Sequence, residues 1–127
     1  MSATIYPTYK YRDARAAIDW LVKAFGMETV AVHGEGDVVH HAELSLGGAI
    51  IMLGSDGRGD PNVHRPPGSG SCYVGTDDID ARFERAVAAG AEVIRPLNDT
   101  DYGSREFSVA DIEGNVWSFG SYRPTAT

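Results

Sequence analysis

His41 and Glu43 stand two residues apart in a run, residues 38–46, that alternates apolar and polar side chains. That period puts both on one face of a β-strand, where an imidazole beside a carboxylate can act as a base or as an unusual ligand pair. The theme returns further on. Glu43-Leu44-Ser45-Leu46 is echoed 63 positions later by Glu106-Phe107-Ser108-Val109. Two such residues make an incomplete site, and a polar strand face turned to water accounts for them about as well.

The remaining chemically capable residues read as structural. His40 alternates to the face opposite His41, while His33 and His64 lie by turns or loops, where surface positions are the default. Cys72 is the only cysteine and sits in the apolar run Cys72-Tyr73-Val74, so it reads as a small buried hydrophobe. Trp20 and Trp117 read as core or interface aromatics. Ser71 and Ser118 lack a nucleophile-elbow context, and no Ser-His-Asp order can be argued. "GEGD" and "GSGS" are short glycine turns that do not open a helix as a phosphate loop does.

The elements that carry these residues follow from periodicity. Residues 5–11 are β-prone and interrupted by Pro7, which suits an edge strand. Asp13 is placed to cap a helix whose apolar stripe is Ala14, Ala17, Ile18, Leu21, Val22 and Phe25, with Gly26 closing it. Strands follow at 27–33, 38–46 and 49–53, joined by a "GEGD" hairpin turn and by Gly47-Gly48. Residues 55–70 are rich in Gly, Pro, Asp and Asn, and read as a connector able to act as a mobile flap. The order then repeats. A strand at 71–75 precedes a helix starting at Thr76 or Asp77, with Ile79, Phe83, Ala86, Val87 and Ala89 on its buried side and Gly90 at its end. Strands at 91–97, 105–110 and 116–121 complete the chain.

The second half therefore copies the first. Asp13, Ala24, Gly26 and Glu28 recur as Asp77, Ala88, Gly90 and Glu92, and "MLGS" ending at Ser55 recurs as "SFGS" ending at Ser121. The expectation is one α+β domain over residues 1–127: module one at about 1–55, a connector at 56–70 and module two at about 71–123. The formal charge of −7 disfavours nucleic acid and anionic membranes as partners. The N-terminus lacks the apolar core of a signal peptide and nothing approaches a transmembrane span, so a cytoplasmic location is expected.

The turn and strand "DIEGNVWSFGSY" resemble the end of vicinal oxygen chelate domains, the superfamily of glyoxalase I, bleomycin-resistance proteins, fosfomycin-resistance enzymes and extradiol dioxygenases. "YRDARAAIDWLVKAFGME" and "AVAAGAEV" resemble the same family, with Ile112 standing where its turn usually holds Pro. The resemblance implies two βαβββ modules whose eight strands curve into a cup, a mixed sheet with helices outside. In metal-dependent members His, Gln or Glu ligands come from the first and last strands of each module. Carried onto this chain, those positions are Tyr6, Met52, Ser71 and Ser118, and Met52 and Ser118 are also repeat partners. A thioether and hydroxyls are poor ligands for a hard or borderline divalent ion. No metal and no cofactor is therefore expected.

The same alternation turns Ala42, Leu44, Leu46, Phe107 and Val109 toward the helices. His41, Glu43, Ser45, Glu106 and Ser108 then face the cup, with Tyr6, Thr8 and Tyr73 completing its lining. Apolar walls with a few polar groups suit a small organic ligand, and the carboxylates favour a cationic or hydrogen-bond-donating one. The expected function is a metal-independent binding protein of the bleomycin-resistance type, a homodimer holding a small molecule through Tyr6, Thr8, His41, Glu43, Met52, Ser71, Tyr73, Glu106, Ser108 and Ser118. The alternatives are a lyase, isomerase or dioxygenase-type enzyme with a non-standard site around His41, Glu43 and Glu106, or an accessory module that makes protein contacts only.

Overall fold

The computed structural model describes residues 2–126. Helix α1 (Ala14–Phe25) begins where the sequence places it: the Asp13 carboxylate accepts from the Ala16 amide at 3.1 Å. It ends at Gly26, whose φ of 74° takes the left-handed conformation that glycine adopts without a Cβ penalty. Its buried stripe is Ala14, Ala17, Ile18, Leu21, Ala24 and Phe25. Around it lie β1 (Thr8–Tyr11), β2 (Glu28–Glu35), β3 (Val38–Leu46) and β4 (Ala49–Ser55). The second set is β5 (Ser71–Gly75), α2 (Ile79–Ala88), β6 (Glu92–Asp99), β7 (Arg105–Ala110) and β8 (Val116–Gly120). The order βαβββ thus occurs twice.

The eight strands form two mixed four-stranded sheets, β1-β4-β3-β2 and β5-β8-β7-β6, with the first strand parallel to the last in each set. Repeat partners do equivalent work. Ser55 Oγ accepts from the Val39 amide at 2.8 Å, and Ser121 Oγ accepts from the Arg105 amide at 3.0 Å. Each hydroxyl satisfies a backbone donor where its neighbouring strand begins.

Several boundaries differ from the sequence reading. The first strand starts at Thr8, because Pro7 lacks an amide and contributes only its carbonyl, which accepts from the Met52 amide at 2.9 Å. β2 runs through Glu35, leaving Gly36-Asp37 as the turn. Helix α2 starts after Asp78, a non-glycine residue at φ 54°, rather than at Thr76 or Asp77. Val87 is 43% exposed and does not join its buried side.

The largest departure lies in β3. The β2–β3 register passes from His33↔His41 to Gly34↔Val39, so His40 is an extra residue in the ladder. Val39 and Ala42 are both buried, three positions apart, and His40 shares the cavity lining of His41 instead of facing the helix. A bulge re-aims side chains that strict alternation would separate. Gly34 permits it, since a Cβ there would sit 2.9 Å from Val39 Cα.

The halves share one core. Phe25 packs on Trp117 and Phe119 at ring separations of 5.3 and 5.0 Å, and Tyr9 lies 5.2 Å from Trp117. Arg85 of α2 donates to the carbonyls of Lys23 and Val22, and Arg82 to that of Phe25, so α2 supplies cations to the C-terminal end of α1. The turn "DIEGN" joins the halves on the other side. Asp111 Oδ2 accepts from Tyr11 Oη at 2.6 Å, and from Trp117 Nε1 and Asn115 Nδ2 at 3.1 Å each. Its Oδ1 accepts from the amides of Glu113 and Asn115. Glu113 in turn accepts from the amides of Arg12 and Asp13.

Candidate functional site

In each sheet one face packs on the helices and the other is open, and each open face carries a cavity. On the first sheet the cavity encloses about 610 Å³ and is lined by Thr8, Lys10, His40, His41, Met52 and Gly54, with Arg58 and His64 of the connector at its edge. His41 Nε2 lies 2.9 Å from Glu43 Oε2, and its ring stacks at 6.4 Å on that of His33. Glu43 therefore holds His41 from beside the cavity. Both side chains keep more than a third of their surface in water, so this is a solvated pair with little stabilising value.

On the second sheet the cavity encloses about 520 Å³ and is lined by Ser71, Cys72, Tyr73, Arg95, Tyr102, Glu106, Ser118 and Tyr122. Glu106 is only 4% exposed. It accepts from Arg95 Nη2 at 2.9 Å and from Tyr102 Oη at 3.1 and 3.0 Å. Burial works against its ionisation, but these donors and the Arg95 charge outweigh it and hold the carboxyl below its usual range. Tyr102 is shifted upward, chiefly by its hydrogen bond to that carboxylate. Tyr73 Oη donates to the Tyr122 carbonyl at 2.6 Å. Burial pushes the Cys72 thiol up from its ordinary value.

Nine of the ten residues singled out from the sequence divide between two open faces. Thr8, His41 and Met52 line the first cavity, with Glu43 paired beside it. Ser71, Tyr73, Glu106 and Ser118 line the second, where Ser108 Oγ lies 2.7 Å from Ser118 Oγ. Tyr6 precedes β1, is 47% exposed and lines neither cavity.

Of the four ligand positions that the resemblance implies, Tyr6 precedes β1, Met52 pairs with Thr8 across β1 and β4, and Ser71 and Ser118 lie on the neighbouring strands β5 and β8. Hydroxyls, a thioether and a phenol do not fit the needs of Zn²⁺ or a similar ion. Among the described residues, no group of three or more His, Cys, Asp or Glu side chains gathers to hold a metal.

Sequence reasoning missed Lys10, Arg58, His40 and His64 in the first cavity, and Arg95, Tyr102 and Tyr122 in the second. For Lys10 the signal is present: Thr8 and Lys10 share a strand face, so the alternation that puts Thr8 in the cup puts Lys10 there too. Arg58 and His64 lie in a connector without periodicity, so no sequence pattern places them.

Comparison with known proteins gives one family. Residues 7–119 match the model of the Glyoxalase/Bleomycin resistance protein/Dioxygenase superfamily. Uncharacterized proteins of Mycobacterium bovis and Mycobacterium tuberculosis are each 36% identical over 115 residues, which is 85% of this chain and 76% and 68% of theirs. Among solved structures, TioX from Micromonospora sp. ML1 is 31% identical, with a TM-score of 0.81 over 96% of this chain and 100% of its own. TnmS3, an antibiotic binding protein from Streptomyces sp. CB03234, is 24% identical with a TM-score of 0.72 over 94% and 96%. No helix among the described residues is long and apolar enough to cross a membrane.

Proposed function

Because the chain belongs to the Glyoxalase/Bleomycin resistance protein/Dioxygenase superfamily, we propose that it is a single-domain, metal-independent protein that binds a small organic molecule. The observation that carries this reading is the chemistry of the two open faces. Each combines a concave surface with a few polar groups, and among the described residues no three His, Cys, Asp or Glu side chains gather closely enough to hold a metal. TnmS3, which has the same fold, is described as an antibiotic binding protein.

The protein acts as a homodimer. The first open face of one chain meets the second open face of its partner, so that Thr8, His41 and Met52 join Ser71, Tyr73, Glu106 and Ser118 in one cup. A single chain divides these residues between two sheets, and the pairing reunites them. Sedimentation and metal analysis, with a thermal-shift screen of drug-like and metabolite compounds, test this. A dimer free of stoichiometric metal and stabilised by selected compounds is expected. One tightly held divalent ion per chain, or no ligand effect across the libraries, overturns it.

The His41–Glu43 contact at 2.9 Å favours a second reading, an isomerase, lyase or dioxygenase-type enzyme in which this pair moves a proton. Turnover of a glyoxalase-type or related substrate that disappears in Glu43→Ala distinguishes it from binding alone.

A further inference from the structure

The chain is acidic, yet the cavity on the first sheet is not. No Asp or Glu lines it, whereas Lys10, Arg58 and the imidazoles of His40, His41 and His64 do. The acidic group beside it, Glu43, is already engaged with His41. Asp56 lies with Lys10 and Arg58 in the adjoining cavity under the connector, but makes no ion pair with either. Among the described residues, the Lys10 ammonium and the Arg58 guanidinium have no hydrogen-bond or salt-bridge partner. Lys10 is partly buried, with its ammonium beside the cavity floor at Gly54.

The backbone makes room for it. Gly54 lies in an extended strand with no turn to demand glycine, and a Cβ there would sit 3.0 Å from the His40 carbonyl oxygen and 3.5 Å from Lys10 Nζ. Its repeat partner Gly120 lies against the lining of the other cavity, where a Cβ would meet Tyr73 Oη and lie 2.9 Å from Glu106 Oε2. The same position of the duplicated scaffold thus stands under a cation in one half and under a carboxylate in the other. Only the carboxylate has a partner, Arg95.

We propose that the open face of the first sheet binds the anionic group of a ligand, a carboxylate or a phosphate, with Lys10 and Arg58 as its counter-charges. This rests on the small-molecule reading above and reverses, for this half of the cup, the expectation of a cationic ligand. Arg58 supplies a planar fork suited to two oxygens, and Lys10 a point charge at the floor. Flanked by Gly57 and Gly59 at φ values of 81° and 80°, Arg58 is held in a turn of the connector beside the cavity.

The test uses the intact protein and four naphthalene probes carrying a carboxylate, a phosphate, an alcohol or a methylammonium group, titrated by amide-resolved NMR. The anionic probes should bind at least about tenfold tighter than the alcohol and the ammonium, and shift Lys10, His41 and Met52. Their relative affinities separate carboxylate from phosphate. Lys10→Met with Arg58→Met should abolish the preference for anions, with Arg58→Met alone, on an exposed loop, abolishing part of it. Equal binding of all four probes at this face, or an anion preference that survives the double substitution, overturns the inference and leaves the small-molecule reading standing. Failure of every probe to perturb either open face defeats both.

Discussion

Replacing Asp111 with Asn changes one oxygen for an NH₂ group, and the structure fixes the consequence. The carboxylate accepts five hydrogen bonds: Tyr11 Oη, Asn115 Nδ2 and Trp117 Nε1 on Oδ2, and the amides of Glu113 and Asn115 on Oδ1. An amide placed with nitrogen at Oδ1 faces two backbone N–H groups. Turned over, it faces the indole and the Asn115 amide. Either way two donors lose their acceptor in a region where Asp111 is 6% and Asn115 2% exposed. An orphaned buried donor costs about 1–3 kcal/mol, so Asp111→Asn should destabilise the fold by about 2–6 kcal/mol, a large share of the roughly 5–15 kcal/mol typical of a domain. The Tyr11 hydroxyl can rotate, which makes Tyr11→Phe a milder probe, costing about 1.5–3 kcal/mol for a bond to a charged group. Urea unfolding at matched protein concentration measures all three variants. Because Tyr11 and Asp111 lie in different halves, the double variant should cost less than the sum of the singles. A loss below about 1 kcal/mol for Asp111→Asn, or additivity within about 0.5 kcal/mol, would refute the view that this turn latches the halves.

Glu106 titrates below its usual range when folded, so its contribution is complete above about pH 4.3 and is lost as pH falls through the lower folded value. Wild type should therefore lose stability more steeply below pH 4.3 than Glu106→Gln, as read from urea midpoints at stepped pH; parallel profiles would contradict the assignment. Gly120→Ala pushes a methyl onto Tyr73 Oη and to within 2.9 Å of Glu106 Cγ and Oε2, and should cost about 1–3 kcal/mol and displace the Tyr73–Tyr122 and Tyr102–Glu106 contacts, visible as changes in tyrosine NMR shifts. Arg85→Ala uncaps the carbonyls of Val22 and Lys23 and should lower stability by about 0.5–1 kcal/mol, with faster amide exchange in the last turn of α1.

Much of the scaffold was legible because it rests on local rules. Asp13 and Gly26 bound a helix through a side-chain oxygen and a left-handed backbone, both written in residue type. Alternation sent Ala42, Leu44, Phe107 and Val109 inward correctly, whereas Cys72, read from the sequence as buried, packs against the core only partly buried. The errors lie where a non-local contact overrides the local pattern. The β2–β3 register leaves His40 as an extra residue, and that bulge brings onto the cavity a residue that alternation alone sends to the helix side.

The amino-acid sequence by itself determined the duplicated βαβββ order, the faces of most strands, and the types of residue at the family's ligand positions. Those follow from period, capping chemistry and a repeat, all of which act along the chain. Tertiary structure alone decided that His40 joins His41 on one face, that the candidate residues divide between two cavities, and that Lys10, Arg58 and His64 gather in a cavity whose lining holds no carboxylate. A bulge arises from the match between two strands, and a connector is placed by what it packs against. Neither leaves a period for a reader to find.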